Sequence, residues 1–268
     1  MRSRGPYSAN NFIALRHYSQ GIPITEVNAP NLVECAASGG LGPSATLKKT
    51  EMITSLDRSI YLASRSPRRR ELLTQIGVKF HLLLFRDIPN ADPEINEDPL
   101  AGELPYDYVL RVCAAKAEGG WKRMQQRTLP RSPVLAADTT VALDGRILGK
   151  PADRREGAGM LASLSGRKHE VLTAVALKYD EHVELAVSRT EVEFRSIPAE
   201  EIRQYLTTGE ADDKAGAYAI QGRAGQFIVE IRGSYSGVMG LPLYETAQLL
   251  ERLGSLNDRR FHGAHSGA

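Results

Sequence analysis

The run Ser59-Ile60-Tyr61-Leu62-Ala63-Ser64-Arg65-Ser66-Pro67-Arg68-Arg69-Arg70-Glu71-Leu72-Leu73-Thr74-Gln75-Ile76-Gly77 decides the fold class. Residues 59–63 read as a short apolar strand. Ser66 then occupies a helix N-cap and Pro67 the first helical position, where its missing N–H costs nothing. Leu72, Leu73 and Ile76 give the helix one apolar stripe, and Gly77 ends it. A strand that turns directly into a helix is the unit from which α/β sheets are built.

The same alternation continues downstream. Residues 78–85 suit a second strand, and 86–105 a polar loop. A helix is expected over 106–126, interrupted or weakened at Gly119-Gly120. Val134-Leu135-Ala136-Ala137 and Val141-Ala142-Leu143 read as apolar half-strands flanking Asp138-Thr139-Thr140, with Asp144-Gly145 as a turn. A helix over 154–164 ends at Gly166. Two long strands follow, 170–179 and 183–194, joined as a hairpin by Asp180-Glu181-His182; Val187, Arg189, Glu191 and Glu193 alternate in the second. A capped helix over 198–206, a strand over 227–231 and an amphipathic helix over 242–253 complete the pattern. The expected fold is α/β: a twisted sheet flanked by helices, and mixed because of the hairpin.

Residues 1–55 read differently. They are rich in Ser, Asn, Gly, Pro and Ala, poor in acids and without sustained periodicity. They are expected to be a disordered extension or sequence upstream of a start at Met52, since no amphipathic Arg-bearing helix supports a transit peptide. Residues 56–255 form the expected domain, and 256–268 a polar tail holding His262 and His265.

Composition narrows the function classes. With 34 basic and 32 acidic residues in 268, the chain lacks the excess charge of a dedicated duplex-binding protein. Cys35 and Cys113 stand in no metal or disulfide spacing, so a reducing, cytoplasmic setting is expected. No apolar run approaches the ~20 residues that span a bilayer.

Chemically capable residues concentrate at three strand–helix junctions. Around Ser64 and Ser66, a helix start adjoins Arg68, Arg69 and Arg70; free N–H groups and guanidinium groups both favour phosphate, although a solvated arginine face has the same composition. Asp138, between apolar half-strands, is costly in ionised form unless paired, which suits a general base or a magnesium ligand, but also an aspartate satisfying turn N–H groups. Lys150, in Gly149-Lys150-Pro151, is placed to reach a phosphate. In the third segment, residues 210–222, small residues allow close backbone approach while Asp213, Lys214 and Gln221 offer polar contacts; Gly233-Ser234-Tyr235-Ser236 is a candidate addition to the same pocket. His169, Trp121 and Cys113 read as structural. There is no P-loop and no dinucleotide-binding glycine fingerprint.

Over residues 56–255 the sequence resembles the Maf family of nucleotide pyrophosphatases. The resemblance rests on Leu62-Ala63-Ser64-x-Ser66-Pro67-Arg68-Arg69-x-Glu71-Leu72-Leu73, Ala137-Asp138-Thr139, Gly149-Lys150-Pro151 and Leu164-Ser165-Gly166-x-x-His169-x-Val171-x-Thr173. Asp213-Lys214-Ala215-Gly216-Ala217-Tyr218 and Gly240-Leu241-Pro242-Leu243 follow in order. It implies a fold shared with inosine-triphosphate pyrophosphatases, a homodimer, and hydrolysis of nucleoside triphosphates between the α- and β-phosphates with Mg²⁺ or Mn²⁺. It also implies Asp138 as proton acceptor, with Ser64, Arg69, Lys116, Lys150 and Lys214 as substrate-binding residues. Asp138 and Glu97 are the implied metal ligands. The family's Asp-Glu pair is Asn96-Glu97 here, so Asp92 and Glu94 stand as fallback ligands. Arg68, Thr139 and Gln221 side with the dTTP/UTP branch, implying a role in clearing aberrant nucleotides; the 7-methyl-GTP branch, or a binding role in arresting septum formation, is the alternative.

Overall fold

The computed structural model describes residues 12–16, 59–84 and 95–262. In chain order the elements are β1 (Phe12–Arg16), β2 (Ile60–Leu62), α1 (Pro67–Gln75), β3 (Phe80–Leu82), α2 (Pro105–Gln126), β4 (Val134–Leu143) and β5 (Arg146–Leu148). They continue with α3 (Arg154–Leu164), β6 (Lys168–Tyr179), β7 (His182–Phe194), α4 (Ala199–Thr207), β8 (Ile228–Arg232), α5 (Tyr235–Met239) and α6 (Leu243–His262). The eight strands form one sheet in the order β1-β7-β6-β4-β2-β3, with β5 added to β4 and β8 to β7. Among the described residues, only β2 runs parallel to its neighbours, β3 and β4; the other pairings are antiparallel. The sheet is therefore mixed and flanked by helices, as the alternation of periodicities predicts.

β4 is buried along almost its whole length because helices cover both faces of the sheet. Its side chains divide by parity. Val134, Ala136 and Ala142 pack beneath α2 with Val109, Val112, Cys113 and Trp121. Leu135 and Ala137 face Leu72 and Leu73 of α1 and Leu249 and Leu250 of α6. Toward its far end, Val141 and Leu143 join a third cluster with Leu161, Leu164, Tyr205, Phe194 and Phe227. The antiparallel register of β4 on β6 places Asp138 opposite Ala174 and Thr139 opposite Thr173.

Several expectations need correcting. The helix over Gly119-Gly120 is not interrupted: α2 runs through both glycines. Gly120 instead lets the helix approach the sheet, since a Cβ there would lie 2.8 Å from Val134 Cγ1 and 3.0 Å from Ala63 Cβ. The two half-strands around Asp138 are one continuous strand. Its neighbours β6 and α2 supply the packing that a polar Asp-Thr-Thr step lacks. α4 begins after Pro198 without a side-chain cap. α6 continues to His262, into the stretch read as a polar tail; that stretch holds no proline to stop it. Phe12–Arg16, within the extension set apart from the fold, pairs antiparallel with β7. An edge strand needs backbone pairing on one side only, which periodicity does not reveal. Phe85, Asp92, Glu94, Met52 and His265 lie outside the described residues.

The turn predictions follow local chemistry. Asp144 and Gly145 both take positive φ, 51° and 75°, in the tight β4–β5 hairpin. Asp180, at φ 56°, turns β6 into β7.

Candidate active site

The site lies in a notch in the sheet. β2 pairs with β4 only at Val134 and Leu135, and β5 pairs with it only from Val141 onward. Between them, among the described residues, this edge of β4 has no strand beside it, and a cavity of about 820 Å³ opens there. That volume falls in the usual range for small-molecule sites. The opening adjoins the carboxyl end of β2, where ligands of open α/β sheets bind. Because the cavity wraps round the free edge, it reaches Asp138 and Thr139, which lie on opposite faces of the strand.

Ser64, Arg68, Arg69, Glu97, Lys116, Asp138, Thr139, Lys150 and Lys214 all line this cavity. They come from the β2–α1 loop, α1, the segment before α2, α2, β4, the β5–α3 turn and the loop after α4. Gln221 is absent from the lining but meets Arg68 at its margin. With the amide oxygen turned toward the guanidinium, it accepts from Arg68 Nε at 2.8 Å and NH1 at 3.0 Å. Gly233-Ser234-Tyr235-Ser236 does not contribute. The Ser234 side chain caps α5 by accepting from Gly237 N, and Ser236 Oγ accepts from Leu243 N.

Asp138 is buried, and its charge is compensated. Lys116 Nζ of α2 lies 2.7 Å from Asp138 Oδ1 and 3.1 Å from Glu97 Oε2, so one ammonium bridges two carboxylates. Arg69 is held from three sides. Its Nε donates to Gly240 O at 2.7 Å, while its terminal nitrogens reach Ser64 Oγ at 3.2 Å and Thr139 Oγ1 at 3.3 Å. Thr139 in turn shares a 3.0 Å hydroxyl contact with Thr173, which donates to Gly237 O at 2.8 Å. Burial pushes the Arg69 guanidinium below its ordinary value, and Asp138 opposes that shift. Ser66 occupies the N-cap of α1 without making a side-chain cap bond, and its own N–H donates to Ser64 Oγ. The first turn of α1 lines the cavity and carries no side-chain cap, a favourable environment for anions.

The far wall is a strained segment. Asp213, Gly216 and Ala217 have φ of 58°, 66° and 60°. Gly216 presses on Val141, where a Cβ would lie 2.9 Å from Val141 Cγ2, and its N–H donates to Gly149 O. The small residues of Ala215-Gly216-Ala217 therefore dock the Lys214 loop onto β4 and onto the turn that carries Lys150.

Two organising side chains were not legible in the sequence. Glu210 accepts from Arg223 N and Ala224 N at 2.9 and 3.3 Å and from Tyr205 Oη at 3.1 Å, and so fixes the turn bearing Gln221. Arg111 on α2 binds the segment that carries Glu97, and its ion pair holds the Glu103 carboxyl below its ordinary range. The signal that could have found Arg111 is its place among apolar neighbours, in Val109-Leu110-Arg111-Val112-Cys113, where a charge needs a partner. His169, Trp121 and Cys113 are buried, as the structural reading expects. Among the described residues, no three His, Cys, Asp or Glu side chains gather into a metal cage, and no helix is long and apolar enough to cross a membrane.

With this geometry in hand, comparison with known proteins is specific. The profile of the family described as Maf-like protein matches residues 59–253. A dTTP/UTP pyrophosphatase of Nitrosomonas europaea is 55% identical over 203 residues, 76% of this chain and 98% of that protein. Proteins of the same name from Dechloromonas aromatica and Aromatoleum aromaticum are 56% and 57% identical, over 73% of this chain and 97% and 95% of theirs. The structure of the Staphylococcus aureus Ham1 protein aligns with a TM-score of 0.36 at 13% identity, covering 63% of this chain and 91% of that one. The matched region contains the whole notch and every side chain around it, and the chain belongs to the Maf family.

Proposed function

We propose that this chain is a nucleoside triphosphate pyrophosphatase that converts dTTP and UTP to the monophosphate and pyrophosphate. The observation that carries the reading is the collection of Arg69, Lys116, Lys150 and Lys214 around one buried aspartate, Asp138, in a single cavity. Four cations suit a triphosphate. The relatives' names agree with it.

In this reading the first turn of α1 and Arg69 receive phosphate oxygens, with Lys150 and Lys214 on the opposite wall. Asp138 orients and deprotonates the water that attacks the α-phosphorus, while Lys116, 2.7 Å from its Oδ1, keeps the carboxylate aimed. Preorganised cations then stabilise the charge that develops as pyrophosphate leaves. Asp138 and Glu97, both within reach of Lys116, fit a Mg²⁺ or Mn²⁺ ion held by one or two carboxylates and substrate phosphates rather than by an all-protein cage. Such an ion would neutralise phosphate charge. For the base, Gln221 commits its amide oxygen to Arg68, which leaves the NH₂ group to donate. A donor suits the carbonyl oxygens of thymine and uracil; a carboxylate at that position would only accept.

The test is a substrate panel of dTTP, UTP, 5-methyl-UTP and 7-methyl-GTP, with products identified, for the native chain and Asp138→Asn. The reading expects the monophosphate and pyrophosphate from dTTP and UTP, and kcat lowered about 10²–10⁴-fold in the folded variant. Preference for 7-methyl-GTP, or full activity in the variant, would overturn it.

A further inference from the structure

Three consecutive backbone carbonyls, those of Asn96, Glu97 and Asp98, are all bound by side chains of one helix. Arg111 NH1 donates to Asn96 O at 2.9 Å and NH2 to Asp98 O at 3.0 Å, while Tyr108 Oη donates to Glu97 O at 2.9 Å. The remaining edge of the guanidinium grips Glu103, with Nε and NH2 at 2.6 and 2.8 Å from its two oxygens. Glu103 Oε2 also accepts from Leu100 N at 2.9 Å, and Asn96 Oδ1 from Asp98 N at 2.8 Å. The Arg111 guanidinium lies 5.6 Å from the centre of the Tyr108 ring, so the two donors brace each other.

The object of these bonds is a short, exposed stretch outside any helix or strand. Its backbone carbonyls would otherwise bond to water, and the Glu97 side chain, 48% exposed, would sample many positions. The same helix carries Lys116, so α2 supplies both the clamp on the Glu97 backbone and the ammonium that receives its carboxylate. A planar guanidinium with five donors can span a carboxylate and two carbonyls; a lysine ammonium cannot.

We propose that Arg111, with Tyr108, is a positioning residue that holds Glu97 at the Lys116–Asp138 pair and thereby sets the affinity of the site for a divalent cation. The proposal rests on the reading of Glu97 as a cation ligand given above. It assigns Arg111 no contact with substrate.

The test measures Mn²⁺ binding to the full chain by the paramagnetic resonance signal of free Mn²⁺, beside kcat and KM for dTTP and the melting temperature. Arg111→Lys is expected to weaken Mn²⁺ binding about 10-fold, the lower end of what removing a group that orients a ligand costs. Tyr108→Phe, which deletes a single hydroxyl, should weaken it by a smaller factor and serves if Arg111→Lys fails to fold. Combined with Glu97→Gln, either substitution should add no further loss, because its route of action is already gone. Unchanged Mn²⁺ binding in both single variants, or losses that multiply with Glu97→Gln, would overturn the proposal. A native chain that binds Mn²⁺ but hydrolyses neither dTTP nor UTP would instead overturn the functional reading, and the binding cycle would still judge the clamp.

Discussion

His169 is a residue whose chemistry is set chiefly by burial. Its ring lies 4.8 Å from Phe194 and 5.5 Å from Tyr218, and its Nε2 bonds the Tyr218 hydroxyl at 2.8 Å. Burial pushes the imidazole down from 6.5 to about 4. The unfolded chain therefore binds the proton more tightly than the folded one, so stability is full above about 6.5 and falls as pH drops from there toward 4. At roughly 1.4 kcal/mol per pKa unit, the whole effect is about 3 kcal/mol. His169→Gln should show a shallower loss of melting temperature between pH 7 and 4.5; parallel curves would show that His169 is not the titrating group. Gly222 is a second single-residue test. A Cβ there would lie 2.2 Å from Glu210 Oε1, so Gly222→Ala should displace Glu210 from the turn that carries Gln221. The expected readout is a narrower difference in kcat/KM between UTP and GTP, with turnover of both retained.

Helix α2 shows how one element serves packing and chemistry on different faces. Its apolar face covers β4 and β6, and Lys116 and Arg111 emerge from its borders toward the cavity and the Glu97 segment. Gly120 fixes how closely that helix approaches. Gly120→Ala should lower the urea midpoint, because overpacking costs about 1–3 kcal/mol, more than the roughly 1 kcal/mol alanine gains over glycine as a helix former. A stabilised variant would mean that α2 lifts from the sheet without cost. β4 carries the complementary lesson. An aspartate and two threonines interrupt its apolar run, yet the strand continues, because β6 pairs with it from Val134 to Ala142 and needs no side-chain pattern to do so.

At the scale of the molecule, stability and function are distributed unequally over the sheet. β6 is paired on both sides along nearly its whole length, whereas β1 and β3 lie at the two ends of the strand order. Native-state hydrogen exchange should therefore be slowest in β4, β6 and β7 and fastest in β1 and β3. Equal protection across the sheet would contradict that gradient. Much of this architecture was legible locally. The strand-to-helix step at residues 59–77, the Asp144-Gly145 turn and the β6–β7 hairpin each follow from residue order alone, because hydrogen-bonding period and turn chemistry act over a few residues. The junction motifs also named Ser64, Arg68, Arg69, Asp138, Lys150 and Lys214, which now line one cavity, while Lys116 and Glu97 entered only through the family resemblance. What residue order did not contain is how they meet. Arg68 reaches Gln221 across 153 positions and Arg69 reaches Gly240 across 171, contacts that exist only once the sheet has closed. The notch beside Asp138, the grip of Arg111 on the Glu97 segment and the docking of Glu210 beneath Gln221 are tertiary for the same reason. Each depends on where neighbouring elements stop, and packing across the whole sheet decides that.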